Sequence, residues 1–274
     1  MRGDLQKALE NLGGYDRDHL ALVDRLTAGL EAKFKPDKDL WDCCPNAAEC
    51  WHSKVEKPEA PHRYRIPYVG PRYLSSGVLI VGMNSRDDGK SDAAFRGMAE
   101  YRTTLHSGRR AWGGQFQFRA ATLVGLLIAS QRGESLEGIP GLGELAERLL
   151  ASARLQAVQC SPVNRARRSP AKEMWSRCPP FVAEAQFQVL KPTAIALLGA
   201  ETRRRVQALA ALDIQWDVPW DPGSPGWARG TAEVGGNERA EIFALYHPAA
   251  VGGWGKSVGK LRDSLATRPL RQPV

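Results

Sequence analysis

Short apolar runs recur along the chain, and each ends on a residue that turns or breaks it. Val78 to Val81 stops at Gly82, and Thr193 to Leu198 stops at Gly199. Leu155 to Cys160 is short enough for another strand, and Glu241 to Leu245 ends at Tyr246-His247-Pro248. Runs of this length, unbroken by alternation and rich in β-branched residues, predict strands buried on both faces. Helical spacing fills the intervals. Leu20, Val23, Leu26 and Leu30 lie three and four apart within residues 4–33, which predicts one or two amphipathic helices. Further helices are predicted over 118–131, 142–153, 172–190 (interrupted at Pro179-Pro180), 201–212 and 258–265. Strands alternating with helices predict an α/β fold: a three-layer α/β/α sandwich around a central, mostly parallel, four-stranded sheet.

Three stretches lack a steady period. Residues 34–76 are rich in Pro, Lys, Trp and His, residues 89–114 are polar and glycine-dotted, and Trp216 to Asn237 is rich in Pro, Gly and Trp. All three read as loops, and a long loop beside a strand end is a place for function. The chain divides into an N-terminal helical extension, residues 1–76, and an α/β domain, residues 77–274, packed as one unit.

Composition narrows the classes. A hydrophobic content of 43% with 25% charged residues is that of a globular domain. No apolar run approaches the ~20 residues of a membrane helix, and the amino terminus has no signal-peptide core. A cytoplasmic, monomeric protein without a membrane partner is expected. The net charge is +8 and the pI about 9.4. Arginines cluster at 109–110, at 165, 167 and 168, and at 203–205, which suits a polyanion such as DNA. For any single cluster, solvated helix faces and loops are the better reading.

The five cysteines form two groups, Cys43, Cys44 and Cys50, then Cys160 and Cys178. Grouped cysteines in a reducing compartment more often bind a metal than pair as disulfides. Cys44, Cys50, Cys160 and Cys178 are the candidate ligands, with Cys43 as the alternative to Cys44. Four thiolates suit a 4Fe–4S cluster or zinc, and free buried thiols remain a third reading.

Two strand ends carry polar chemistry. Asn84 can hold a water through its amide oxygen, and His247 can donate to an oxygen on which charge develops. Both sit where open α/β sheets bind ligands. With these motifs in order, GMNSR at 82–86, QAVQCSPVNRARRSP from Gln156, then Cys178-Pro179-Pro180-Phe181, TAIALLG and His247-Pro248-Ala249-Ala250, residues 78–265 resemble the uracil-DNA glycosylase superfamily. The likeness is to its iron–sulfur branch, whose first motif is GEAPG; GMNSR is nearer the GINPG or GMNPG of mismatch and single-strand-selective relatives.

The resemblance implies an enzyme that flips a base from single- or double-stranded DNA and hydrolyses its N-glycosidic bond. By position in the motifs, Asn84 would place the water and His247 would support the leaving base. Gly82, Met83, Phe116 and Gln156 would form the base pocket. Val251 or Trp254 would wedge into the duplex, and Arg165, Arg167, Arg168, Lys256 and Lys260 would meet phosphates. Ser85 replaces the motif's proline, Ala249-Ala250 replaces Ser-Pro, and the first cysteine pair is spaced more widely than the family's. Gln156 stands where the family carries the asparagine that reads uracil. Uracil is the default substrate, with a modified base, in repair or in defence against foreign DNA, as the alternative. Two other classes are open: a DNA-binding protein of the same fold without activity, and an unrelated α/β hydrolase, which would have to work without a P-loop or nucleophile elbow.

Overall fold

The computed structural model describes residues 14–33, 44–46, 50, 67–84, 115–137, 147–158, 172–210, 212–221, 226–235, 238–248 and 253–272. These form strands β1 (Tyr68–Val69), β2 (Val78–Asn84), β3 (Ser152–Val158), β4 (Ala194–Leu198), β5 (Leu212–Val218), β6 (Ala228–Val234) and β7 (Glu238–Leu245). The helices are α1 (Arg17–Glu31), α2 (Gln115–Arg132), α3 (Lys172–Cys178), α4 (Glu184–Leu190), α5 (Ala200–Val206) and α6 (Gly253–Thr267).

One mixed sheet runs in the order β1-β3-β2-β4-β7-β6-β5. Its centre, β3-β2-β4-β7, is parallel throughout and consists of the four strands expected from the apolar runs. Val78, Leu79, Ile80 and Val81 are at most 1% exposed, as are all five residues of β4, so both faces of the centre are covered. The sheet is nevertheless larger than four strands. β5 and β6 extend β7 antiparallel, and β1 adds an antiparallel edge to β3. Two parts of the stretch expected to be loop are therefore strand, residues 216–218 in β5 and 228–234 in β6. The predicted 201–212 helix stops at Val206, because Leu212 already belongs to β5. β3 begins at Ser152, earlier than expected, and takes over the end of the predicted 142–153 helix.

Local chemistry explains the boundaries. Asp16 caps α1 by accepting from the His19 backbone N–H at 2.9 Å. Between α3 and α4, Pro179-Pro180 cannot donate the usual bonds, and residues Pro179–Ala183 widen into a π turn. Lys191 then takes a left-handed conformation (φ 47°) and Pro192 ends the helix before β4. Leu22, Val23, Leu26 and Leu30 of α1 join the same apolar core as the sheet, with α1 lying on α4. Tyr15 donates to the Val69 carbonyl at 2.9 Å, so the described part of the N-terminal extension is packed against the α/β domain.

Candidate functional site

The chain leaves β2 through α2 to reach β3 on one side, and leaves β4 through α5 towards β7, β6 and β5 on the other. Connections departing in opposite directions make the carboxyl ends of β2 and β4 the switch point of the sheet, the usual ligand position in such folds. Four strand ends meet this rim, and each delivers a residue of interest.

On β2 and β3, Gly82 lies beside Gln156 in the parallel register. A Cβ on Gly82 would stand 2.9 Å from Gln156 Oε1, so the absent side chain is what lets the glutamine amide lie across the strand. Met83 is half-buried, and Asn84 closes β2 opposite Val158. Phe116 is in the first turn of α2. For Asn84 and Phe116 the backbone is described and the side chains are not.

On β4 and β7, Gly199 takes φ 104° and donates its N–H to the Leu245 carbonyl at 2.8 Å. A Cβ there would touch His247 Cβ at 3.7 Å and Thr202 Oγ1 at 3.9 Å. The histidine thus sits over the end of β4, one strand from β2. Its loop is held from three directions. Arg119 of α2 donates to the Pro248 carbonyl. Ser257 of α6 accepts from Tyr246 N–H at 3.2 Å and donates to the Gly226 carbonyl at 2.8 Å. The Tyr246 ring fills space that side chains at Gly226 or Gly253 would occupy, their Cβ atoms falling within 2.4 and 2.5 Å of it. Trp220 meets that ring edge-on at 5.7 Å, and the Arg203 guanidinium lies 5.4 Å from the Trp220 centroid.

The structure thus brings Gly82, Met83, Gln156, the Asn84 backbone and His247 to one rim. Trp254 is not presented there: only 6% exposed, it packs into the core from α6, where leaving to wedge a duplex would cost burial. Val251, Arg165, Arg167, Arg168 and Cys160 lie outside the described residues. Lys256 and Lys260 are exposed on α6. Sequence reasoning missed Arg119, Gly199, Thr202, Trp220 and Ser257. Gly199 alone carried a signal, as a glycine directly after a strand.

The cysteines occupy a second place. Cys50 is buried, and Cys44 and Cys178 are half-buried against the core. Burial pushes the Cys50 thiol up to about 11, helped by Cys44 and by Glu173 of α3. That influence places the first cysteine group near the helix that ends in Cys178. A raised value keeps the Cys50 thiol protonated, so it would ligate a metal only by giving up its proton to the cation; the sulfur donors themselves are of the type that a thiolate-ligated metal takes. Among the described residues no three ligating side chains group together to hold a metal.

No family model matches the chain, and a search of curated proteins finds no match either. No helix among the described residues is long and apolar enough to cross a membrane.

Proposed function

We propose that this protein is a DNA glycosylase of the uracil-DNA glycosylase type, a three-layer α/β/α sandwich that flips a base to the carboxyl ends of the strands and hydrolyses its N-glycosidic bond. The observation that carries the reading is the convergence of the Asn84 strand end, the Gln156–Gly82 pair and His247 on the switch point of the sheet. In this reading Asn84 orients the attacking water towards the sugar carbon. His247 donates a hydrogen bond to the base oxygen that gains negative charge as the bond breaks. Phe116 stacks on the extruded base, and the Gln156 amide reads its polar edge. The basic charge of the chain, +8, favours association with the DNA backbone. The same reading makes the protein a cytoplasmic monomer.

Cys44, Cys50 and Cys178, with Cys160, would hold a 4Fe–4S cluster. When bound, it would supply a cross-link between the first cysteine group and α3 rather than redox chemistry. Iron and sulfide in the purified protein, lost in Cys50→Ser, are the expected result; stoichiometric zinc without iron overturns the assignment.

The function itself is tested by a glycosylase assay over oligonucleotides carrying uracil, other deaminated or oxidised bases and modified pyrimidines, single- and double-stranded. Release of at least one base, abolished in Asn84→Ala, is expected. Tight binding with release from no substrate would instead mark a DNA-binding protein without catalysis.

A further inference from the structure

Three consecutive arginines sit on α5, and only two of them are neutralised. Glu201 accepts from Arg204 at 2.7 Å and from Arg205 at 2.8 Å. Arg203 makes no ion pair among the described residues. Its Nη1 donates instead to the neutral Gln207 amide at 2.9 Å, in a bond that lies at the surface. Its Nε is buried without a hydrogen-bond partner, and burial alone lowers the guanidinium from its ordinary value. A cation partly withdrawn from water without a counter-charge destabilises the fold. The place of that cation is fixed. The Arg203 N–H donates to the Gly199 carbonyl at 3.0 Å, so the residue stands one helical turn beyond the glycine that borders His247. Its guanidinium lies 5.4 Å from the Trp220 centroid, and the same indole meets the ring of Tyr246, the residue before His247, at 5.7 Å. An aromatic ring and an amide thus hold a planar cation beside the rim.

We infer that Arg203 is a phosphate-binding residue, its guanidinium taking a backbone phosphate of the DNA strand whose base is presented to the carboxyl ends of β2 and β4. The inference rests on the glycosylase reading above and adds a contact that the motifs did not contain. In sequence, residues 203–205 are one basic cluster; the structure divides it. At Arg204 and Arg205 a phosphate would have to displace Glu201. At Arg203 it meets a guanidinium that no described carboxylate occupies and that the Trp220 face supports. Guanidinium and phosphate match in charge and in geometry. A contact of this kind positions the strand without reading its sequence. One turn from Gly199, it would hold the strand in register with the histidine proposed to support the leaving base.

The test is DNA binding by the full chain, read by fluorescence anisotropy on a short fluorescein-labelled oligonucleotide, single-stranded and duplex, over a series of salt concentrations. Arg203→Gln should weaken binding several-fold at low salt. It should also reduce the slope of log K against log salt by about 0.7 on the single strand or about 0.9 on the duplex, the share of one phosphate. Arg203→Lys keeps the charge and should return most of the slope. Arg239→Gln is the control: it removes the same charge from an arginine 75% exposed at the amino end of β7 and should leave the slope as in wild type. The melting temperature of Arg203→Gln should match wild type, since no ion pair is lost. On a substrate that is cleaved, KM should rise with kcat unchanged. Equal slopes in Arg203→Gln and Arg239→Gln overturn the inference. So does a lowered melting temperature with an unchanged slope, which assigns the arginine to packing on Trp220. If wild type binds DNA at no salt concentration, the glycosylase reading itself fails and the inference falls with it. If wild type binds but releases no base, catalysis alone is refuted and the slopes still decide the role of Arg203.

Discussion

The two ends of the same parallel strands use polar residues in opposite ways. At the amino ends, buried polar groups are tied to one another. Thr193 Oγ1 donates to the Ser76 carbonyl at 2.8 Å, Gln131 Nε2 reaches the same carbonyl at 2.8 Å, and Ser76 donates to the Ala151 carbonyl. Backbone bonds from Thr193 to Gly77 and from Glu241 to Thr193, both 2.9 Å, continue the stitching across three strands. At the carboxyl ends, the Gln156 amide takes the room that Gly82 leaves, Gly199 is held at φ 104° beside His247, the buried Thr202 hydroxyl has no hydrogen-bond partner, and His247 is placed by groups that hold its loop. A polar group costs free energy to bury. At the amino end the fold recovers that cost through its own hydrogen bonds; at the carboxyl end the Thr202 hydroxyl leaves it unrecovered.

The sharpest way to break this contrast is to exchange the symptoms of the two ends. Asn84→Ala should lower base release by about two to three orders of magnitude, the worth of one pre-placed polar group in a reaction centre, and leave the urea midpoint unchanged. A loss of stability with activity retained would move Asn84 into the structural class. Gln131→Leu should do the reverse. It removes the Nε2 donor to Ser76 and Thr193 from a site 4% exposed, and should cost about 1–3 kcal/mol in denaturant unfolding. Turnover at a temperature where the variant is folded should match wild type; a fall in kcat there would show that the amino end also serves the reaction.

The parallel centre was legible because burial on both faces leaves only one way to write a strand. VLIV, AIALL and the second half of β7 are apolar at every position, and no periodicity competes with that pattern. The β5–β6 wing was hidden for the opposite reasons. β5 is an edge strand whose buried and exposed positions alternate around charged Asp213 and Asp217, and β6 buries small residues together with the charged Arg229, an arginine paired with Glu241. Gly230 is small of necessity, since a Cβ there would come within 2.1 Å of the Gln215 carbonyl oxygen. A strand selected for close backbone approach has little hydrophobic signal to read. The site divided in the same manner. Asn84 and His247 announce themselves by following apolar runs, whereas Arg119 and Ser257 act through contacts 129 and 11 residues away in sequence, which no local pattern encodes.

Within the carboxyl rim the contrast can be sharpened further. Gln156→Asn shortens the amide that lies over Gly82 and should raise uracil release several-fold if that amide reads the base, an effect below the 1.4 kcal/mol of a tenfold change. An unaltered profile over the substrate panel would remove Gln156 from base recognition.

The smallest expected effect concerns charge beside the switch point. Glu201, in the first turn of α5, accepts from Arg204 at 2.7 Å and from Arg205 at 2.8 Å. The Arg204 hydrogen bond, ahead of that from Arg205, holds its carboxyl below the ordinary 4.5. A folded value below the unfolded one means that this contribution is present above about pH 4.5 and is lost as pH falls through the folded value. The pair with Arg204 is exposed at 60% and 36%, so solvent screening leaves it little worth. Glu201→Gln should therefore barely move the melting temperature at pH 7. Yet it releases two guanidinium groups at the rim where DNA is proposed to lie. DNA affinity at low salt should rise, and the slope of log K against log salt should steepen by up to about 1 for each phosphate newly contacted. An unchanged slope would mean that α5 faces away from the DNA, leaving the arginines of this helix as a solvated surface and the switch point approached from the β2–β3 side.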